Sequence, residues 1–153
     1  MLPSDIAASP AKRVLELAAL IGEAEAAGWC AGLLDGSTRH DDRGRPPITW
    51  LGGRHAAGLL RREDFEARGQ DYWPRVWAAR GLMYVWRPDA EVAILTGLRD
   101  PAWRVREACA RVARRRGLVA AERRLERLLD DPNHRVRVAA EAALAVLGRI
   151  TAP

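Results

Sequence analysis

A seven-residue segment of this chain occurs twice, and no other sequence feature limits the fold as strongly. Asp100–Arg106 reads DPAWRVR, and Asp131–Arg137 reads DPNHRVR, 31 residues later. A unit that recurs at such a period is typical of a helical solenoid, in which each unit buries its apolar face only by stacking on the next. The repeat therefore predicts an architecture. It says less about function, because it does not specify the partner that such units hold.

Apolar spacing supports this prediction from Tyr72 onward. Val105, Ala108, Cys109 and Val112 follow the i, i+3, i+4, i+7 pattern of one buried helix face. Second helices are expected over about 88–99 and 118–129, with Val92 and Leu129 pointing inward, and Gly148 is expected to end the last helix. The repeats then span about 72–100, 101–131 and 132–149.

Residues 1–71 lack the repeat and are predicted to form an atypical helical cap packed on the solenoid, within a single compact domain. Ser9-Pro10 is a good helix start, and this first helix is expected to run to about Ala27-Gly28. Residues 35–47, DGSTRHDDRGRPP, are predicted to form a long surface loop.

The charge of the chain is uneven. The net charge is +5, with 25 basic and 20 acidic residues, and Lys12 is the only basic residue that is not arginine or histidine. Residues 1–71 have 9 basic and 11 acidic side chains, whereas residues 72–153 have 16 and 9. Arginine suits bidentate contacts with phosphate or carboxylate, although a G/C-rich genome would also enrich it. Residues 72–153, which contain the repeats, therefore form the basic half of the chain.

The sequence shows no pattern typical of a catalytic or metal-binding site. Cys30 and Cys109 match no metal or redox spacing, and no Ser/His/Asp or Cys/His arrangement is evident. No signal peptide or membrane span is visible, so a cytoplasmic location is expected. We predict no catalytic residue, no metal and no cofactor.

The repeats resemble the HEAT family, in particular the short HEAT-like repeats named after phycobilisome lyases. Asp131–Gly148 (DPNHRVRVAAEAALAVLG) matches that unit nearly throughout, Asp100–Val112 matches well, and the resemblance covers about 72–149. It implies an all-α fold, a short right-handed α-solenoid of stacked antiparallel helix pairs.

The resemblance also implies a ladder between repeats, formed by the Asp before each repeat and the Arg six residues later. The sequence has these residues as Asp100 with Arg106 and Asp131 with Arg137. At the first repeat, Asp71 would be followed by Trp77 instead of an arginine, which suggests a packing role for Trp77.

Two groups of residues are candidates for binding. The densest basic cluster consists of Arg114, Arg115 and Arg116, followed by Arg123 and Arg127. It is either an anion-binding surface or a solvated turn with interleaved glutamates. Trp73 and Trp103 lie near the starts of two repeats and are either an exposed aromatic pair or part of the core.

Two main functions remain open. The first is a non-catalytic scaffold or adaptor for a protein partner, with the second helices lining the concave face and presenting the mixed charges of Asp89, Glu91, Arg123, Glu126 and Arg127. The alternative is a basic solenoid that contacts DNA or RNA phosphates, distantly similar to HEAT-like DNA alkylation-repair proteins. The family name also suggests a lyase accessory factor, but the chain is short for one and no bilin pocket is identifiable. The oligomeric state is not specified.

Overall fold

The computed structural model describes residues 1–62 and 64–153, and within them every regular element is helical, which confirms the all-α prediction. A 3-10 turn at Val119–Ala121 precedes the seventh of the eight described α-helices. These are α1 Pro10–Ile21, α2 Glu23–Asp35, α3 Thr49–Leu60, α4 Trp73–Gly81, α5 Ala90–Gly97, α6 Trp103–Arg116, α7 Glu122–Leu128 and α8 His134–Thr151.

Successive repeats pack on one another. The first helices of the repeats, α4, α6 and α8, lie side by side, with α6 in contact with both others. The second helices pack forward along the chain, α5 on α6 and α7 on α8. Each unit therefore covers the apolar face of the next, and one continuous core of buried side chains runs from Val14 to Leu147. This is the helical solenoid that the 31-residue period predicts.

The N-terminal helices pack on the first repeat and on one another. α2 packs on α4 and α5, α3 packs on α4, and α1 packs on α2 and α3. The single first helix expected up to Gly28 is wrong, because Gly22 adopts a φ of 94° and ends α1 at Ile21. The chain then turns by 119° into α2. The division into a cap of residues 1–71 and repeats from residue 72 stays a prediction.

A buried arginine holds this region together. The guanidinium of Arg13 donates to the backbone carbonyls of Ala8, Trp50 and Leu51. The last two carbonyls are near Gly53, which interrupts α3 with a φ of 56°. A break in a helix removes N–H partners from the preceding carbonyls, and Arg13 supplies the missing donors.

Three details of the repeat helices differ from expectation. The second helices are shorter than predicted, so Leu129 lies beyond the end of α7 and is 38% exposed. Val92 is 66% exposed, because the buried face of α5 is formed by its neighbours Ala93 and Ile94. Gly148 lies within α8 and does not end it. The cost of a helical glycine, about 1 kcal/mol, is too small to stop a helix that is packed on two neighbours.

No single helix in the described residues is long and apolar enough to cross a membrane. Only α1 and α2 taken together meet that length and composition, and they are sharply bent.

An ion-pair ladder joins the corners of successive repeats. Arg106 donates from Nε to Oδ2 of Asp131 at 2.8 Å and from Nη2 to Oδ1 at 3.1 Å, while its Nη1 donates to the carbonyls of Asp100 and Pro101. One arginine thus ties its own corner to the corner of the next unit. Within its own repeat, Arg137 repeats the carbonyl contacts, with Nη1 donating to the carbonyl of Asp131 at 2.7 Å.

The register that places Asp71 and Trp77 at the ladder positions of the first repeat is wrong. Arg75 pairs with Asp100 through Nε and Nη2, at 2.7 and 3.2 Å, so the rung is complete. Arg75 precedes Arg106 by 31 residues, whereas the pairing of Asp71 with Trp77 assumed a different register. Asp71 is exposed, and Trp77 is 2% exposed, as its predicted packing role requires.

A glycine-to-alanine substitution at a helix contact tests the core packing. A Cβ at Gly97 in α5 would collide with Sγ of Cys109 in α6, which is completely buried. We expect Gly97→Ala to reduce the free energy of unfolding by about 1–2 kcal/mol, because overpacking outweighs the better helix propensity of alanine. Denaturant titration of the purified chain measures this.

Two further variants identify the cause. Adding Cys109→Ala removes the sulfur, so Gly97→Ala should cost far less in that background than in the wild type. Gly148→Ala serves as the matched control, since nothing lies within 4 Å of a Cβ there, and should stabilise by up to about 1 kcal/mol. Equal losses at Gly97 with and without Cys109 would contradict the proposed collision.

The ladder predicts a pH dependence of stability. Burial of Asp131 on its own would raise the pKa of its carboxyl group. Hydrogen bonds from Arg106 and from the N–H of Asn133, with the charges of Arg106 and Arg137, outweigh burial and lower the pKa. A group whose pKa is lower in the folded state contributes stability that is fully present above the unfolded pKa of about 3.9. This contribution is lost as the pH falls through the folded pKa.

We therefore expect Asp131→Asn to reduce the free energy of unfolding by about 2 kcal/mol at neutral pH. The difference from wild type should shrink as the pH falls below about 4. The control is Asp130→Asn, which changes an exposed neighbour outside the ladder. Denaturant titrations over this pH range give both curves, and a difference that stays constant would show that the charge of Asp131 is not what stabilises.

Candidate functional site

The same face of each first helix is exposed to one continuous depression. An α-helix turns about 100° per residue, so residues spaced i, i+3, i+4 and i+7 share a face. The lining side chains follow this spacing in each helix, and the stripes are 31 residues apart: Trp73, Val76 and Arg80 on α4; Arg104, Glu107, Ala108 and Arg111 on α6; Arg135, Val138, Ala139 and Ala142 on α8.

An arginine lies between two tryptophans at the centre of this face. The guanidinium carbon of Arg104 is 4.5 Å from the ring centroid of Trp103 and 5.4 Å from that of Trp73. Its Nη1 also donates to Oη of Tyr72 at 3.3 Å. The guanidinium of Arg135, in the next repeat, is 5.5 Å from the ring of Trp103. Cation–π contacts of this kind are attractive and restrain the side chains that form them.

Further aromatic contacts hold Trp73 from the N-terminal side. The ring of His55, on α3, meets Trp73 edge-on at 4.5 Å and Trp77 at 5.4 Å. Burial, followed by the nearby charge of Arg80, lowers the pKa of His55, so its ring is neutral at physiological pH. Trp73 is therefore packed on one side and available on the other.

The two tryptophans and the arginines beside them line a groove between α4 and α6 with a volume of about 330 Å³. We call it the arginine–tryptophan groove and define it by Trp73, Arg80, Trp103, Arg104, Arg111 and Arg135. A second depression of about 310 Å³ between α6 and α8 shares Arg111 and Arg135 with it and adds Arg114 and His134. The two form one path across three helices.

The charges that line the groove are mostly positive. Four arginines line it, and the one carboxylate among its lining residues is Glu107, whose Oε1 forms an ion pair with Nη2 of Arg135 at 3.2 Å. The floor between the charges includes Val76, Met83 and Ala108. The groove can therefore bind a group that is both anionic and partly apolar.

The structure separates the residues that the sequence grouped. Trp73 and Trp103 are both half-buried, with one side against the core, and both line the groove. Arg114 lines the second depression, and Arg115 is exposed at the end of α6. Arg123 and Arg127 are exposed on α7, a second helix, and so are not part of the groove.

Arg116 differs from its neighbours because it turns inward. Its Nε donates to the carbonyl of Leu82 at 3.0 Å, and its guanidinium stacks on Trp86 at 5.1 Å. Burial lowers the pKa of Arg116, and the charge of Arg115 contributes in the same direction. Arg116 is therefore held by contacts within the fold, whereas Arg114 and Arg115 are exposed, and the anion-binding role of the cluster stays a prediction.

Sequence reasoning missed the groove arginines, although a signal was present. Arg104 and Arg135 are 31 residues apart, as are Arg80 and Arg111. Applying the period to every arginine of the repeats, and not only to the Asp-Pro corners, would have aligned them on one face.

The side chains of the groove are suited to binding a ligand. Among residues 1–62 and 64–153, no three His, Cys, Asp or Glu side chains come together as a metal site. Both thiols are completely buried, and burial raises the pKa of Cys30 to about 12. Thiols in such surroundings are inert. The groove offers guanidinium donors and aromatic faces, which recognise anions and planar or apolar groups.

The inward position of Arg116 gives a direct prediction. Arg116→Ala should destabilise the chain by about 1–2 kcal/mol, because the carbonyl of Leu82 loses its donor and Trp86 loses its stacking partner. Arg115→Ala, one residue away and exposed, should change stability by less than about 0.5 kcal/mol. Thermal unfolding followed by circular dichroism measures both, and similar melting temperatures for the two variants would contradict the assignment.

Comparison with known proteins agrees with this architecture. No curated protein and no solved structure matches the chain. A family model described as HEAT repeats matches residues 66–145, just over half of the chain, and includes α4 to α7 and most of α8. The match does not distinguish the phycobilisome-lyase subtype. The chain therefore belongs to the HEAT-repeat family.

Proposed function

We propose that this HEAT-repeat chain is a non-catalytic scaffold that binds a protein partner through the arginine–tryptophan groove. Repeats of this family commonly mediate protein interactions, and their stacked helices present a fixed surface. The observation that carries the proposal is the Arg104 guanidinium held between Trp73 and Trp103. Tryptophan and arginine in a preformed pocket are the side chains most enriched among residues that dominate binding energy.

The proposed binding surface differs from the one predicted from the sequence. The second helices, with Arg123 and Arg127, were expected to receive the partner, and that expectation stays a prediction. The first-helix groove is the better candidate because two of its arginines, Arg104 and Arg135, already contact aromatic rings before any partner arrives. Preorganised side chains lose less conformational entropy on binding. The two free, buried thiols suit the cytoplasmic location that we also propose.

Binding of nucleic acid is the second candidate, favoured by the same stacked side chains. Indole rings and guanidinium planes stack on unpaired bases, and the repeat half is basic. Glu107 weighs against it, because a carboxylate within the groove would repel a phosphate backbone. We therefore favour a protein partner.

Copurification tests the proposed function. We expect the tagged chain, treated with nuclease, to retain specific proteins that a Trp103→Ala/Arg104→Ala variant loses. The control variant, Arg123→Ala/Arg127→Ala, changes exposed arginines of α7 and should retain them. Mass spectrometry identifies the proteins, and circular dichroism confirms that each variant is folded.

The alternative predicts a different result. If the chain binds nucleic acid, single-stranded DNA or RNA should bind with an affinity that falls steeply with salt and depends on Arg104. Such binding, together with the same copurified proteins for the wild type and the groove variant, would replace the scaffold proposal.

A further inference from the structure

Three arginines of the groove have no carboxylate partner in the part of the chain that the structure describes. Arg80, Arg104 and Arg111 have no Asp or Glu oxygen within 4.0 Å among residues 1–62 and 64–153. The ladder arginines Arg75 and Arg106, by contrast, each hold an aspartate through two hydrogen bonds. The groove thus concentrates positive charge that these residues do not neutralise.

The apolar part of the groove limits what can neutralise that charge. Val76, Met83 and Ala108 lie among the arginines, and Trp73 and Trp103 form the walls. A bare anion would leave these surfaces exposed to water, whereas a ligand with apolar side chains would cover them. The complementary ligand therefore has both carboxylates and apolar groups.

The shape of the groove indicates an extended ligand. The depressions between α4 and α6 and between α6 and α8 share Glu107, Arg111 and Arg135. Packed helices lie about 8–10 Å apart, so a path across three of them measures about 16–20 Å. An extended peptide rises about 3.3 Å per residue and would cross this path with about six residues.

We propose that the arginine–tryptophan groove binds an extended acidic peptide segment of a protein partner. The carboxylates of the segment pair with Arg80 and Arg111, since guanidinium forks match carboxylates bidentately. An apolar side chain packs against Trp73 and Trp103 beside the fixed Arg104. This inference rests on the proposed function and specifies the chemistry of its partner.

Glu107 decides between this ligand and a polyanion. Its side chain is 15% exposed, lines both depressions and forms an ion pair with Arg135. A nucleic acid places phosphates at a regular interval and would bring one near this carboxylate. A peptide can carry a neutral residue there and acidic residues on either side. Alternation of side chains along an extended chain allows such spacing.

A selection experiment tests the inference without knowledge of the natural partner. A displayed library of random octapeptides is selected on the immobilised wild-type chain, and the recovered peptides are synthesised with a fluorescent label. We expect enrichment of Asp and Glu together with apolar residues. Fluorescence anisotropy then measures the affinity of these peptides for the wild type and for charge-reversal variants.

Two variants with the same change in net charge give the comparison. Arg80→Glu/Arg111→Glu reverses two exposed groove arginines, and Arg123→Glu/Arg127→Glu reverses two exposed arginines of α7. The groove variant should bind the selected peptides at least about tenfold more weakly, and the α7 variant within about twofold of wild type. Peptides with Lys in place of each Asp and Glu should bind the groove variant in preference to the wild type.

Each contrary outcome is informative. Selected peptides that bind the groove without acidic enrichment, or acidic peptides that the α7 variant loses equally, would overturn this inference and leave the scaffold function standing. Failure to select any binding peptide would also overturn it, and copurification would still decide the scaffold function. Groove-dependent binding of oligothymidylate, without any peptide, would contradict both.

Discussion

The fork of two hydrogen bonds from an arginine to an aspartate 25 residues later sets the geometry of the repeats. Arg75 holds Asp100 in this way, and Arg106 holds Asp131. Apolar contacts between helices are not directional and would allow the units to slide. A bidentate pair with fixed planar geometry allows one register. The side chain of Asp131 is 5% exposed, so the loss of its partner would leave a buried charge, which is strongly unfavourable.

This register also produces the groove. With the corners fixed, residues 31 apart occupy equivalent places on α4, α6 and α8. Tyr72, Trp103 and His134 then lie in one row, and Trp73, Arg104 and Arg135 in the next. Arg104 can therefore reach a tryptophan of its own repeat and one of the repeat before it. A slip of one unit by a single residue would turn each stripe by about 100° and separate these side chains.

The sequence was sufficient for the parts of the fold that local spacing determines. The period predicted the stacked helices, and the resemblance predicted a ladder between repeats built from Asp100, Arg106, Asp131 and Arg137. The first rung was missed because residues 69–71 are Gly-Gln-Asp, so no Asp-Pro corner marks the register there. The break at Gly22 was missed because a glycine with positive φ and a tolerated helical glycine such as Gly148 are identical in sequence. Tertiary packing decides between them.

The groove shows why a count of arginines could not identify the site. Arg104 and Arg106 are two residues apart, so they point about 200° away from each other on α6. Arg106 faces the corner of the next repeat and pairs with Asp131, whereas Arg104 faces the groove and stacks on tryptophan. Arg111 follows Arg104 by seven residues, or about two turns, and returns to the groove face. The chain thus uses the same residue type for cohesion on one helix face and for recognition on the other. Position in the 31-residue period, rather than local density of charge, tells the two uses apart.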